Sequence, residues 1–245
     1  MVVHLFLIVI RWFGLDTVLC VLAVQLFLQH LVGGISVQYM VGTAMATSLF
    51  YMVDRWVDGR IAEDVSSSRH LVYQRHSKWV GACCMVLAGF NMYYWLQFAT
   101  VIKLRWLVGG CCCGAHLIFL RVKRYRWLKP LVVAAVFSWV MVAGLPVIYM
   151  AVYGFIFGLT LLNLCVHSAI ETKRPWLPWS CLLCWVMSVG LAIIALPYWW
   201  LVTIFGLGPL LYVPLVLYSK RLVYWYELGE LIYALPFLVA CGLMI

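Results

Sequence analysis

Charged residues are scarce in this sequence. They make up 10% of the 245 residues, against about 25% in an ordinary soluble domain, and only eight are Asp or Glu. With 67% hydrophobic residues, this balance excludes a disordered chain and a soluble globular enzyme. The net charge of +9 does not indicate a nucleic-acid partner, because the Lys and Arg residues lie between long apolar runs and form no basic module. The composition predicts a polytopic membrane protein.

Several familiar signatures of chemistry are also missing. The sequence contains no Gly-rich phosphate loop, nucleophile elbow or HExxH pattern. Its ten cysteines do not form a disulfide framework, because most lie inside apolar stretches, where cysteine behaves as a small hydrophobic residue. Cys181 and Cys184 form a CxxC without a second pair, whereas a structural zinc site needs four ligands.

Long apolar runs are what the sequence has instead. A helix needs about 20 mostly apolar residues to cross a bilayer, and about nine segments approach that length. We therefore expect a single all-α integral membrane domain, 1–245, with about nine transmembrane helices. The predicted segments are Leu15–Val32, Ile35–Val53, Trp79–Ile102, Trp106–Leu120, Pro130–Tyr149, Met150–Ile170, Trp179–Leu196, Pro197–Tyr218 and Leu222–Ile245.

The distribution of positive charge supports this count. If successive loops alternate between the two sides of the membrane, every Lys and Arg except Lys103 and Arg105 falls on one side. The positive-inside rule then places the N-terminus and the charged loops in the cytoplasm and the C-terminus on the opposite side. A wrong number of spans would have scrambled this asymmetry.

Two carboxylates at the end of the second predicted span are the leading candidates for a functional site. Asp54 and Asp58 stand four residues apart, so on a continuous helix both point from one face. Like charges at that spacing repel, and a bound cation relieves the repulsion; Mg²⁺ is commonly held by one or two carboxylates together with phosphate oxygens. The structural alternative is that these residues only end the span and pair with Arg55 and Arg60.

A second polar set ends the sixth predicted span. Asn163, His167 and Glu171 are also spaced by four residues and share one helical face. As a structural alternative, Asn and His in a membrane helix often form a hydrogen bond with a neighbouring helix and have no other role. The repeated spacing, in matching positions four spans apart, nevertheless predicts two weakly related halves, about 1–125 and 126–245.

The chain resembles the UbiA superfamily of intramembrane prenyltransferases. The first motif of that family closes the second helix and often contains D-R-x-x-D, as Asp54-Arg55-Trp56-Val57-Asp58 does here. A Lys-Arg pair follows the fourth helix, as Lys123-Arg124 does, and a second acidic motif closes the sixth helix, where this chain has Asn163, His167 and Glu171. The family has nine helices in a bundle around a central cavity, with charged loops on the cytoplasmic side.

The resemblance implies a prenyltransferase. It implies that Asp54 and Asp58, with Glu171, hold Mg²⁺ and that Arg69, Lys123 and Arg124 bind the diphosphate of a polyprenyl diphosphate donor. The prenyl group would pass to an aromatic or other lipophilic acceptor inside the membrane. The chain departs from the family pattern at Phe50, which stands where the first motif has Asn, and in the second motif, which lacks its aspartate pair.

Two alternatives stay open at this point. The chain could be a catalytically inactive protein with the same fold, serving as a transporter or a scaffold, because transporters also have repeated halves and polar residues within helices. A CDP-alcohol phosphotransferase is the other alternative, since Asp58-Gly59-Arg60-Ile61-Ala62-Glu63 resembles part of the motif of that family. Glu63 replaces the arginine of that motif, and no later aspartate pair follows, which disfavours it.

Overall fold

The computed structural model describes residues 14–61, 73–119 and 128–172, together with positions 186 and 190. Within those residues the protein is all-helical, as predicted, and no strand occurs there. The six helices are α1 (Leu15–Val32), α2 (Val37–Ile61), α3 (Ser77–Gln97), α4 (Thr100–Phe119), α5 (Lys129–Val142) and α6 (Met150–Thr172). Each overlaps one of the first six predicted segments, and α1 has the predicted limits; apart from positions 186 and 190, the last three predicted segments lie outside the described residues.

Glycine and serine residues mark both ends of α1 and the start of α2. Gly14 precedes α1 with a left-handed φ of 64°, and Gly33 follows it with a φ of 76°, a conformation that favours glycine. The Gly33 N–H donates to the Gln29 carbonyl at 2.9 Å, which satisfies one of the free carbonyls at the helix end. The Ser36 hydroxyl then accepts the Tyr39 N–H at 3.1 Å and caps the start of α2.

The predicted boundary between the third and fourth segments is wrong. Lys103 and Arg105 were expected in a loop after Ile102, but the chain turns earlier, at Phe98 and Ala99, and α4 begins at Thr100. The Phe98 side chain is buried in the core at this turn. Arg105 is held within α4 because its guanidinium donates to the carbonyls of residues 143 and 145, at 3.2 and 2.6 Å.

The end predicted for the second segment is eight residues before the end of the helix. The apolar run stops at Val53, yet α2 continues through the charged residues to Ile61. Hydropathy marks where the environment changes, whereas the backbone hydrogen bonds of a helix continue through polar residues. The fifth predicted segment runs too far, to Tyr149, because α5 ends at Val142, before Gly144-Leu145-Pro146; α6 begins at Met150, as predicted.

The main core lies between α1, α2, α5 and α6. The most extensive packing between helices is of α2 on α3 and of α5 on α6, followed by α1 on α2 and α4 on α5. The Tyr39 hydroxyl donates to the Val140 carbonyl and ties α2 to α5. A smaller cluster of Met52, Tyr73 and Cys84 joins the end of α2 to α3.

Helix α3 carries a largely exposed apolar surface. Trp79 and Met85 are each 75% exposed, and Phe90, Met92 and Leu96 are also exposed. Among the described helices, α3 is the one that is long and apolar enough to cross a membrane. Shorter apolar stretches occupy 17–30, 129–142 and 150–165.

Candidate functional site

Three helices meet at Asp54. The carboxylate lies on α2, where the apolar run of that helix ends, and its side chain is 16% exposed. Lys129, the first residue of α5, places its Nζ 3.2 Å from Asp54 Oδ1 and 3.3 Å from Oδ2. His116, near the end of α4, places Nε2 3.8 Å from Oδ1. We refer to Asp54, His116 and Lys129 as the Asp54 cluster.

Local sequence explains how these side chains arrive at one place. Pro130 fits the first turn of α5, where a missing N–H costs nothing, and so fixes the start of the helix beside Lys129. His116 lies in the last turn of α4, where a basic group interacts favourably with the helix dipole. Packing of α5 against α4 and of α4 against the end of α2 then brings the two basic side chains to the acid.

The surroundings of Asp54 favour its ionised form. Burial acts to raise the pKa of the carboxyl group, but the neighbouring His116 and the positive charges of Lys129 and Arg55 outweigh it. Their combined effect lowers the pKa of Asp54 from 3.8 to about 2. Asp54 is therefore a carboxylate at any physiological pH, and it can only accept hydrogen bonds.

The charges around Asp54 favour an anion. Arg55 follows Asp54 on α2 and places its guanidinium carbon 5.2 Å from the centre of the Tyr51 ring. The charges of both Lys129 and Arg55 act on the one carboxylate, so the Asp54 cluster together with Arg55 carries net positive charge even with His116 neutral. Arginine and lysine are the side chains that bind phosphate oxygens most strongly.

Phe50 contributes packing at the position where the resembled motif has Asn. Its ring centre lies 5.7 Å from that of His116, at an interplanar angle of 51°. This contact helps to hold the imidazole, of which only 3% is exposed. At this position the chain therefore has an aromatic ring packed against His116 instead of a polar side chain.

The other predicted site residues are described only in part. Asp58 lies on α2 and His167 and Glu171 lie on α6, but their side chains are outside the described part of the chain. Asn163 is on α6, and its Oδ1 is buried without a hydrogen-bond partner among the described residues. Arg69, Lys123 and Arg124 fall outside the described residues, so their predicted role in binding diphosphate stays a prediction.

Sequence reasoning missed His116 as a site residue and counted Lys129 only as a cytoplasmic charge. A signal was present for each: His116 is a single imidazole at the end of an apolar helix, and Lys129 directly precedes a proline that starts the next helix. Asp54 pairs with Lys129, 75 positions further along the chain. The structural alternative of a pair with Arg55 and Arg60 stays a prediction, because the side chain of Arg60 lies outside the described part of the chain.

The side chains that the structure describes do not by themselves make the Mg²⁺ site that the family resemblance implies. Asp54 is the one acid whose side chain is described, both of its oxygens contact the Lys129 ammonium, and no group of three or more metal-ligating side chains occurs among the described residues. Mg²⁺ prefers several oxygen ligands in octahedral geometry. The side chains of the predicted ligands Asp58 and Glu171 lie outside the described residues, so their part in holding Mg²⁺ stays a prediction.

Comparison with known proteins gives no relative. No protein-family model, no curated protein and no solved structure matches the chain.

Proposed function

We propose that the protein is embedded in a membrane through several of its helices. The exposed apolar surface of α3 supports this, because a contiguous apolar surface of that size is unfavourable in water. The low content of charged residues supports it for the chain as a whole. In this arrangement the Asp54 cluster lies at the cytoplasmic ends of α2, α4 and α5, close to the lipid headgroups.

We further propose that the protein is a prenyltransferase that binds the diphosphate of a polyprenyl diphosphate at the Asp54 cluster. The observation that carries this proposal is the meeting of one carboxylate and two cations at the boundary of an apolar region. A polyprenyl diphosphate has the matching form, with an anionic head on a long apolar tail. Asp54 holds Lys129 in position, and Lys129 and Arg55 bind the diphosphate oxygens.

This arrangement suits departure of the diphosphate. When the allylic C–O bond breaks, its electron pair stays on the leaving diphosphate, and fixed cations stabilise that growing negative charge. The remaining allylic cation forms a bond with the acceptor, which loses a proton to the released diphosphate. Arg69, Lys123 and Arg124 are proposed to bind the same diphosphate, and Mg²⁺ held by Asp58 and Glu171 is proposed to neutralise further charge.

Binding of a slowly cleaved analogue tests the proposal. The full chain, purified in detergent, is titrated with geranylgeranyl S-thiolodiphosphate and with geranylgeraniol, which has the same tail without the anionic head. We expect at least about tenfold tighter binding of the diphosphate, which corresponds to a difference of about 1.4 kcal/mol. Equal affinity for the two compounds would refute a diphosphate site.

The same titration with and without Mg²⁺ tests the metal. We expect Mg²⁺ to tighten binding of the thiolodiphosphate to the wild-type protein and to have no effect on an Asp54→Ala/Asp58→Ala variant. The variant keeps Lys129 and Arg55, so it should still bind the thiolodiphosphate more tightly than the alcohol. If Mg²⁺ tightens binding equally in the wild-type protein and the variant, Asp54 and Asp58 do not hold the metal.

A non-catalytic membrane protein, a scaffold or a transporter, is the second candidate. It is favoured by the direct contact of Lys129 with both oxygens of Asp54. Such an ion pair joins α2 to α5 and needs no ligand to do so. This candidate predicts no preference for the thiolodiphosphate over the alcohol. The titration therefore separates the two candidates.

A further inference from the structure

Three consecutive cysteines lie on α4 between two glycines. Cys111 and Cys112 are exposed, Cys113 is half-buried, and all three are free thiols. The described residues leave open space where a Cβ would stand at Gly110 and at Gly114. The thiols of Cys111 and Cys112 therefore lie on an open part of the helix surface, where another molecule can reach them.

The contact of His116 with Asp54 gives the level of these thiols along α4. Cys112 precedes His116 by four residues, about 6 Å along the helix axis, and His116 Nε2 lies 3.8 Å from Asp54 Oδ1. Asp54 stands where the apolar run of α2 ends, at the level proposed for the lipid headgroups. The two exposed thiols thus lie about one helical turn inside the apolar region, on the side proposed to be cytoplasmic.

An apolar face of α4 continues from Cys111 toward the opposite side of the membrane. Leu104, Leu107 and Val108 lie seven, four and three residues before that cysteine, so they share its face, and all three are exposed. From Cys111 back to Val101, which is also exposed, the helix covers about 15 Å. This is half of the hydrocarbon thickness of about 30 Å, the depth of one leaflet. The face therefore matches the length of an acyl chain attached at its cytoplasmic end.

We propose that Cys111 and Cys112 are sites of S-acylation, at which the thiol receives a long acyl chain from an acyl-coenzyme A. Cysteines close to the membrane boundary are the ones that carry this modification in membrane proteins. An acyl chain attached there covers the exposed apolar face of α4. Only the membrane embedding is carried over from the proposed function, and the diphosphate site is not involved.

The acyl transfer is an exchange of one thioester for another. The cysteine sulfur forms a bond with the acyl carbonyl carbon, and the bond from that carbon to the coenzyme A sulfur breaks with its electron pair on the coenzyme A sulfur. Coenzyme A leaves as a thiol with the proton that the cysteine loses. Nothing is oxidised or reduced, and the acyl-coenzyme A is the one co-reactant.

Site-resolved labelling tests the proposed sites. The full chain in phosphatidylcholine vesicles is incubated with palmitoyl-coenzyme A at neutral pH, free thiols are blocked with N-ethylmaleimide, and hydroxylamine then releases thioesters for tagging with a biotin maleimide. Trypsin cuts after Arg105 and Arg121 and so gives a peptide whose only cysteines are the three of α4. Because the reactivity of a thiol depends on access to it, we expect about three times more tag, or a larger excess, at Cys111 and Cys112 than at Cys113.

Two variants separate the level of a thiol from its exposure. Cys111→Ser/Cys112→Ser removes both exposed thiols, so the tag in this peptide should fall to the small amount at Cys113. Adding Leu107→Cys to that variant places a thiol on the same exposed face, about 6 Å further from the Asp54 cluster. We expect little tag at position 107, because the polar coenzyme A part holds the thioester of the donor near the headgroups.

The outcomes separate this proposal from the proposed function. Flotation of the protein with the vesicles is measured on the same samples: a protein that stays out of the vesicles refutes both the membrane embedding and the acylation. Absence of thioester from the wild-type peptide of a protein that floats refutes the acylation alone, whatever the variants do. Tag at Cys113 or at position 107 equal to that at Cys111 refutes it as well, because the thiols would then react regardless of their place. The titration with geranylgeranyl S-thiolodiphosphate tests the diphosphate site independently.

Discussion

Replacing Lys129 with methionine removes the ammonium that contacts both oxygens of Asp54. At 3.2 Å the direct attraction in the pair is about 5 kcal/mol at an effective dielectric constant of about 20. Desolvation and loss of side-chain freedom offset most of it. Exposed pairs contribute about 0–1 kcal/mol, and breaking a buried pair costs about 3–5 kcal/mol.

The exposures of the two side chains place this pair between those limits. The Asp54 side chain is 16% exposed and that of Lys129 is 36% exposed, so solvent screens the lysine more than the acid. We expect Lys129→Met to lower the free energy of unfolding by about 2 kcal/mol. Most of this loss should come from the carboxylate that is left buried without its ammonium, with only His116 and the charge of Arg55 among the described groups still favouring its ionised form.

A double-mutant cycle tests the reasoning. Unfolding is driven with sodium dodecyl sulfate in mixed micelles and followed by circular dichroism for wild type, Lys129→Met, Asp54→Asn and the double variant. Because Asp54→Asn removes the stranded charge, we expect the double variant to be more stable than the sum of the single effects predicts, by about 1 kcal/mol or more.

Lys78→Met is the matched control. Lys78 lies in the first turn of α3 and is exposed, so its replacement should change stability by less than about 0.5 kcal/mol. Additive effects of Lys129→Met and Asp54→Asn would show that the two side chains do not interact. The account of the Asp54 cluster would then be wrong.

The remaining predictions use the same unfolding assay. Because the pKa of Asp54 is lowered to about 2 in the folded protein, its contribution is present above about pH 4 and is lost as the pH falls toward 2. The free energy of unfolding of the wild type should therefore fall by about 2 kcal/mol more than that of Asp54→Asn over that range. Parallel dependence of the two free energies on pH would contradict this. Gly144→Ala should cost about 1–3 kcal/mol, because a Cβ there would lie 2.5 Å from the Tyr39 ring. Gly89→Ala, inside α3 and facing open space, should instead leave the free energy of unfolding unchanged or raise it by up to about 1 kcal/mol; equal effects would refute the packing argument. Arg105→Met should cost about 1–3 kcal/mol, because the carbonyls after α5 lose their donors, and an unchanged unfolding midpoint would show that the turn does not depend on them.

Local sequence signals predicted the limits of α1 and the starts of α5 and α6 to within one residue. The predicted and observed limits of α1 are identical, Leu15–Val32, because Gly14 and Gly33 adopt conformations that end a helix. The charges of Lys103 and Arg105 led to a wrong boundary, because both residues lie within α4 and contact groups outside it. Lys103 lies over the Trp95 ring, and Arg105 donates to the Ala143 carbonyl. Hydropathy alone could not show that α2 continues past Asp54.

The candidate site was predictable only in its acidic part. Asp54 stands out because a carboxylate at the end of an apolar run is rare, and the structure places it at a junction of three helices. Its partners could not be read from the sequence, because Lys129 is 75 residues away and no local pattern records which helices pack together. The weak relation between the halves 1–125 and 126–245 stays a prediction, since much of the second half lies outside the described residues.

The most direct test of the central claim is the effect of Lys129→Met on recognition of the diphosphate. The ratio of affinities for geranylgeranyl S-thiolodiphosphate and geranylgeraniol is measured for wild type, Lys129→Met and the control Lys78→Met. Loss of a charge-assisted hydrogen bond should lower this ratio by about 10- to 100-fold in Lys129→Met and leave it unchanged in Lys78→Met. A ratio in Lys129→Met equal to that of wild type would show that the Asp54 cluster does not bind the diphosphate.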